Sequence, residues 1–82
     1  MQDGVMHARD AEELLRTAKV DPTTYYIGGS RDSRFCLVHE GPQWAVFTGE
    51  RGGRFEEARY ESEDDACVDF LRRVLKYNAR DK

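Results

Sequence analysis

The chain has 82 residues, a hydrophobic fraction of 39%, a charged fraction of 35% and a formal net charge of −3. That length holds one small domain with a single core and little stability in reserve. The acidic balance speaks against general nucleic-acid binding and against adsorption to an anionic membrane, both of which need an excess of cations.

No apolar run approaches the ~20 residues of a membrane span. The stretch Met1 to Asp10 is polar and lacks an apolar h-region, so no secretory signal is visible. The two cysteines, Cys36 and Cys67, are too few and too far apart for a disulfide framework. Each falls inside an expected regular element and reads as a small buried hydrophobe, with a Cys36–Cys67 bridge the alternative. This usage fits a bacterial-type cytoplasmic protein. One domain spanning 1–82 is expected, with 1–7 and 79–82 frayed.

The first periodic segment is Asp10 to Lys19. Ala11, Leu14, Leu15 and Ala18 recur at helical spacing and form an apolar stripe. Asp10 with Glu13 reads as an N-cap and capping-box pair. The helix must stop before Pro22, because the residue ahead of proline disfavours the helical region. Thr24 to Ile27 has strand composition but is halted by Gly28-Gly29, so it is either an edge strand or an extended lead-in. Ser30 to Ser33 is a polar loop.

Phe35 to His39 and Trp44 to Thr48 are the clearest strands, joined by Glu40-Gly41-Pro42-Gln43 into a tight hairpin. With Gly41-Pro42 at the tip, His39 faces Trp44 and Leu37 faces Val46. One face then holds Phe35, Leu37, His39, Trp44, Val46 and Thr48, and the other Cys36, Val38, Ala45 and Phe47. Both rows are apolar, so either both faces are covered or one meets a partner. A turn at Glu50 to Gly53 leads into a third strand, Arg54 to Tyr60. A one-residue slip would exchange its faces; the favoured register sets Ala58 and Tyr60 beside Val46 and Trp44.

Ser62 caps the last helix, with Asp65 at its third position. Ala66, Cys67, Phe70, Leu71, Val74 and Leu75 form its stripe. Acids crowd its first turn and cations its last, which complements the helix dipole. The expected fold is α+β in two layers: a small antiparallel meander of three strands, with a fourth short one open, flanked by an N-terminal and a C-terminal helix on one face.

Sites for chemistry are sparse. His7 and His39 are far apart, and neither Cys nor His lies at metal-ligand spacing. Cys36 and His39 point to opposite faces of one strand, which prevents the hydrogen bond a nucleophile needs. Gly28-Gly29-Ser30 and Gly49 to Gly53 lack the Lys-Ser/Thr end of a phosphate loop. No enzyme activity, metal or cofactor is expected. The order helix, strands, helix also suits a double-stranded-RNA-binding module, but that module needs cations where this chain has Ser62-Glu63-Asp64-Asp65.

Charge placement says more. From Glu56 to Asp69 seven acids stand against one base, and from Arg72 to Lys82 five bases against one acid. Dipole complementarity and solubility account for part of this. The sharper reading is an acidic rim of Glu56, Glu57, Glu61, Glu63, Asp64 and Asp65 that steers a basic partner. Glu50 and Arg51, held out on a glycine-rich turn, are further candidate contacts, since Arg is enriched at interface hot spots.

The run Tyr25-Tyr26-Ile27-Gly28-Gly29, then Cys36-Leu37, Trp44-Ala45-Val46-Phe47, Glu50-Arg51-Gly52 and Ser62-Glu63-Asp64-Asp65-Ala66-Cys67, resembles a family of small bacterial stand-alone immunity-type proteins associated with polymorphic toxins. The resemblance covers Asp21 to Leu75; Thr48-Gly49 departs from it where an aromatic or Ser would precede Glu-Arg-Gly. It implies a non-enzymatic cytoplasmic protein that binds and blocks a toxin domain. Beside it, the acidic balance leads to the expectation of a protein partner rather than nucleic acid or membrane, and the chain itself is expected to be a monomer or weak homodimer. The alternative is a structural or self-associating domain whose dimer contact is lined by Cys36, Val38, Phe47 and Phe55.

Overall fold

The computed structural model describes residues 5–80. In chain order it contains α1 (Ala8–Thr17), β1 (Tyr25–Ile27), β2 (Arg34–Glu40), β3 (Gln43–Glu50), β4 (Gly53–Tyr60) and α2 (Glu63–Arg80). The strands form one sheet in the order β1-β2-β3-β4. The fold is α+β, with both helices on one side of the sheet. No helix among the described residues is long and apolar enough to cross a membrane.

The β2–β3 hairpin has the expected register, with His39 opposite Trp44 and Leu37 opposite Val46. β4 pairs antiparallel with β3 in the favoured register, Tyr60 opposite Trp44 and Ala58 opposite Val46. Its turn places Arg51 (φ 53°) and Gly52 (φ 78°) in the left-handed region. Two positive φ values in succession suit the right-handed twist of a tight hairpin. Further along β4 the pairing shifts between Val46 and Thr48. Glu56 is the extra residue, at φ 55°. This bulge kinks the edge strand and returns both Phe55 and Ala58 to the helix side.

β1 is a genuine strand, and it runs parallel to β2 with Tyr25 opposite Phe35 and Ile27 opposite Leu37. A parallel connection ordinarily takes a dozen or more residues. Here β1 is so short that the chain must return only about 10 Å, which the loop 28–33 spans. The loop crosses the sheet face opposite the helices. Its tightest point is over Gly49, where a Cβ would lie 2.1 Å from the Arg31 carbonyl oxygen. The Ser33 N–H donates to the Gly49 carbonyl at 2.7 Å, and the Gly52 N–H donates to the Asp32 carboxylate at 2.9 Å. The Arg31 guanidinium lies 4.1 Å from the Tyr26 ring centroid.

The helix-side core joins Ala11, Leu15 and Val20 to Tyr25, Leu37 and Val46 of the sheet and to Ala66, Cys67, Phe70, Leu71 and Val74 of α2. Full burial of a Phe, Leu or Val side chain contributes roughly 1.5–3 kcal/mol. The opposite face holds a smaller cluster of Cys36, Ala45 and Phe47. The centres of both rows of the hairpin are therefore covered within the one chain. Cys36 and Phe47 are fully buried, so they do not line an exposed dimer contact; Phe55 is exposed, but on the helix side.

Two local expectations are corrected. Asp10 is not the N-cap of α1. The helix begins earlier, after His7, and the Asp10 carboxylate reaches back to accept the His7 N–H at 3.0 Å. Leu14 is 51% exposed, Leu75 is 42% exposed, and Ala18 is open to solvent. Helical spacing marks one side of a helix, but α1 lies against α2 at the margin of the sheet, which covers only a narrow stripe. The end of α1 explains how the chain turns before Pro22. Lys19 adopts φ 61°, its N–H donates to the Arg16 carbonyl, and the Val20 N–H donates to the Leu15 carbonyl, both at 3.0 Å. These bonds form a Schellman cap, with buried Val20 packed in the same cluster as Leu15.

Of the ends expected to fray, 1–4 and 81–82 lie outside the described residues. Met6 and His7 are bonded to α2, and Ala79 and Arg80 continue that helix.

Candidate functional site

The helices start side by side. The Ala8 N–H donates to Glu63 at 2.7 Å and the Met6 N–H to Asp64 at 2.7 Å, while His7 Nδ1 lies 3.0 Å from Glu63. At their far ends, Asp21 beyond α1 shares a cleft with Tyr77 and Asn78 of α2. Both helices thus point the same way, and both positive dipole ends lie at the end of the sheet that carries His39 and Trp44. Asp10, Glu63, Asp64 and Asp65 gather there for that reason. Ser62 Oγ accepts the Asp65 N–H at 3.2 Å, as a cap should.

The candidate contact residues divide into distinct groups. Glu63 and Asp64 are occupied within the molecule, holding the segment that leads into α1. Burial pushes the Glu63 carboxyl up, but the Ala8 N–H and the neighbouring His7 outweigh it and hold the group below its ordinary range. Glu57 lies on the opposite face, between Arg54 at 3.2 Å and Arg59 at 2.9 Å, with Glu40 beside both arginines. Glu61 and Asp65 are exposed at the helix-start end, and neither carboxylate has an ion-pair partner among the described residues. Glu50 and Arg51 sit at the other end of the β3–β4 hairpin, about 20 Å away by strand rise. Glu56 stands on the bulge, between the two ends, on the helix side.

A second region lies where α2 leaves β4 uncovered. A groove of about 580 Å³ runs between them, lined by Phe35, Ala58, Tyr60, Tyr77 and the charged residues Glu56, Asp69, Arg72, Arg73 and Lys76. Asp69 is only 4% exposed. Its Oδ1 accepts from Arg72 and from Arg73 Nε, both at 3.0 Å, and its Oδ2 accepts from the Tyr60 hydroxyl at 2.7 Å and from Arg73 Nη2 at 3.2 Å. Burial pushes the Asp69 carboxyl up, but these donors more than offset it and the net shift is downward. The same hydrogen bond to Asp69, with burial, raises the Tyr60 hydroxyl. Arg73 Nη1 is buried and has no acceptor among the described residues. Sequence reading missed this cluster. The signal was Asp69 in register with the apolar stripe of α2, three and four residues before Arg72 and Arg73, at a depth where an acid needs partners.

Groups able to do covalent chemistry are dispersed. Cys36 and Cys67 are free and buried, and they belong to clusters on opposite sides of the sheet, so a bridge would have to pass through it. Burial pushes the Cys67 thiol up to about 12, with Glu63 and Asp64 adding to the rise, so it stays protonated. His39 stacks flat on Trp44, with centroids 4.3 Å apart. Among the described residues no group of three or more His, Cys, Asp or Glu is placed to hold a metal ion. No protein-family model, curated protein or solved structure matches the chain.

Proposed function

We propose that this chain is a non-enzymatic, cytoplasmic protein-binding module of the immunity type its sequence resembles, which binds a basic toxin domain and blocks it. The observation that carries the reading is the acidic end created by the two co-directed helices. Glu61 and Asp65 stand exposed there without ion-pair partners among the described residues, close to the acids that serve the caps. On the outer side of α1, Asp10 and Glu13 border the exposed side chain of Leu14. An apolar contact ringed by acids suits a cationic protein surface: the carboxylates speed encounter, and the leucine supplies the dry contact that holds. On this reading the contacts centre on Glu61 and Asp65, with Glu13 and Leu14 of α1 as further candidates. Glu57, Glu63 and Asp64 are left to internal roles, and the Glu50–Arg51 turn is a separate feature.

A tagged pull-down from the native cell, with mass spectrometry of the retained protein, tests the module. One stoichiometric basic domain is expected. Charge reversal with Glu61→Lys and Asp65→Lys together should then weaken that complex roughly tenfold or more, most steeply at low salt. Unchanged affinity would remove the acidic end from the contact. Recovery of only the protein itself would favour self-association.

A further inference from the structure

We infer that the groove between β4 and α2 is a second binding site, which takes a short acidic peptide segment carrying an aromatic or aliphatic side chain. Its floor and ends are apolar. Phe35, Ala58, Tyr60 and Tyr77 line it, with Phe35 and Tyr77 together toward one end. Phe35 and Tyr77 meet edge to face at 5.6 Å, which fixes that end of the groove.

The α2 wall is cationic. Both oxygens of Asp69 are already saturated by Tyr60, Arg72 and Arg73. What remains accessible on that wall is positive: Lys76 is exposed with no ion-pair partner among the described residues, and the Arg72 side chain is 71% exposed. Asp69 also holds the two guanidinium groups in place before any ligand arrives, which lowers the ordering cost of binding.

The opposite wall sets the size and shape of the ligand. Glu56, turned into the groove by the bulge, faces the cations from β4. Glu61 follows at the end of the same strand. A long polyanion such as a nucleic acid or an anionic lipid surface would meet these carboxylates together with the cations. A short segment can set one or two carboxylates against Arg72 and Lys76 and lay its apolar side chain on Phe35. The required partner is therefore compact, acidic on one side and apolar on the other.

The test is a titration of the ¹⁵N-labelled protein with a blocked five-residue peptide of aspartate and glutamate around one central phenylalanine. Saturable amide shifts confined to β4, the Phe35 end of β2 and the 69–77 stretch of α2 are expected. Lys76→Glu, at an exposed position that leaves the fold intact, should weaken binding roughly tenfold, and Arg72→Ala should weaken it less. Replacing the phenylalanine by alanine in the peptide should abolish saturation. Glu13→Lys, on the outer side of α1, should leave the affinity unchanged, which separates this site from the acidic end. The inference is overturned by an absence of saturable shifts up to millimolar peptide, by equal binding of a lysine-for-acid control peptide, or by unaltered affinity in Lys76→Glu. Displacement of the same peptide by duplex DNA or anionic vesicles would also overturn it in favour of a general anion site.

Discussion

The two faces of the sheet solve the same problem with different materials. On the helix side, Leu37 and Val46 are sealed by side chains from two helices, among them Leu15, Phe70 and Val74. On the other side, Cys36, Ala45 and Phe47 are sealed by the loop 28–33 and by long cationic side chains: Arg54 lies 4.2 Å over the Phe47 ring, and Arg31 covers Tyr26. An arginine can shield apolar surface with its stem and ring contact while its charged head stays wet. An apolar row on both faces of a hairpin is thus not evidence of a missing partner, because a loop and two arginines suffice to close a narrow face. It also explains why the surfaces left for recognition lie elsewhere, at the helix starts and along the half-covered edge strand.

Truncating the central phenylalanine of each face tests this contrast most strongly. Phe70→Ala, inside the larger cluster, should cost about 3–5 kcal/mol by urea denaturation. Phe47→Ala should fall at or below the lower end of that range, because a loop and a flexible arginine can settle into the space whereas packed helices cannot. Equal losses at the two positions would mean that the loop-covered face is as rigidly packed as the helical one.

Gly49 probes the seal itself. A methyl group there would meet the Arg31 backbone, and backbone cannot swing aside as a side-chain tip can. Gly49→Ala should destabilise by about 1–3 kcal/mol and should raise hydrogen exchange at the Ser33 amide, which donates to Gly49. Wild-type exchange at Ser33 in this variant would show that the loop shifts as a unit and stays closed.

What the sequence made legible follows from how local each determinant is. The hairpin register and the start of α2 are set by residues within a few positions of one another, namely the Gly41-Pro42 tip and the Ser62 cap, and both were readable. The parallel pairing of β1 was not. Its short sequence has no preference of its own, and the pairing rests on Tyr25 joining the helix-side core while Tyr26 packs on the other face. The bulge at Glu56 was also hidden, since alternation alone cannot show where a strand skips a residue. At the candidate site, the acids of the α2 start were plain, but their use was not. Glu63 bonds to Ala8 across 55 positions and Asp64 to Met6 across 58, and no local pattern signals such a pairing.

That pairing ties the helix side to pH. The carboxyls of Glu63 and Asp69 both titrate lower in the fold than their ordinary values of 4.5 and 3.8. Each therefore contributes stability that is complete above those values and is lost as pH falls through the lower, folded ones. Urea midpoints should be flat near neutrality and fall below about pH 4. Glu63→Gln should flatten part of that fall and loosen the segment leading into α1, seen as faster exchange at the Ala8 amide. The loop-covered face should contribute less to the slope: Glu40 is also lowered, chiefly by its hydrogen bond to Arg54 against a small opposing effect of burial, but it sits close to solvent. An acid transition unchanged in Glu63→Gln would mean that the clamp on α1 adds nothing to folding.

The smallest effect separates charge from cover on the arginine-sealed face. Glu40 and Glu57 alternate with Arg54 and Arg59 in a partly exposed network, and ion pairs of this kind contribute about 0–1 kcal/mol and fade with added salt. Glu40→Gln should fall in that range and become neutral at high ionic strength. Arg54→Ala removes the same ion pair and also uncovers Phe47, so it should cost more, and the excess should survive high salt because it comes from packing. If the two variants lose the same amount and salt erases both, the arginine stem is not what keeps Phe47 dry. The seal on that face would then rest on the loop 28–33 alone, and Gly49→Ala would become the decisive variant for the whole face.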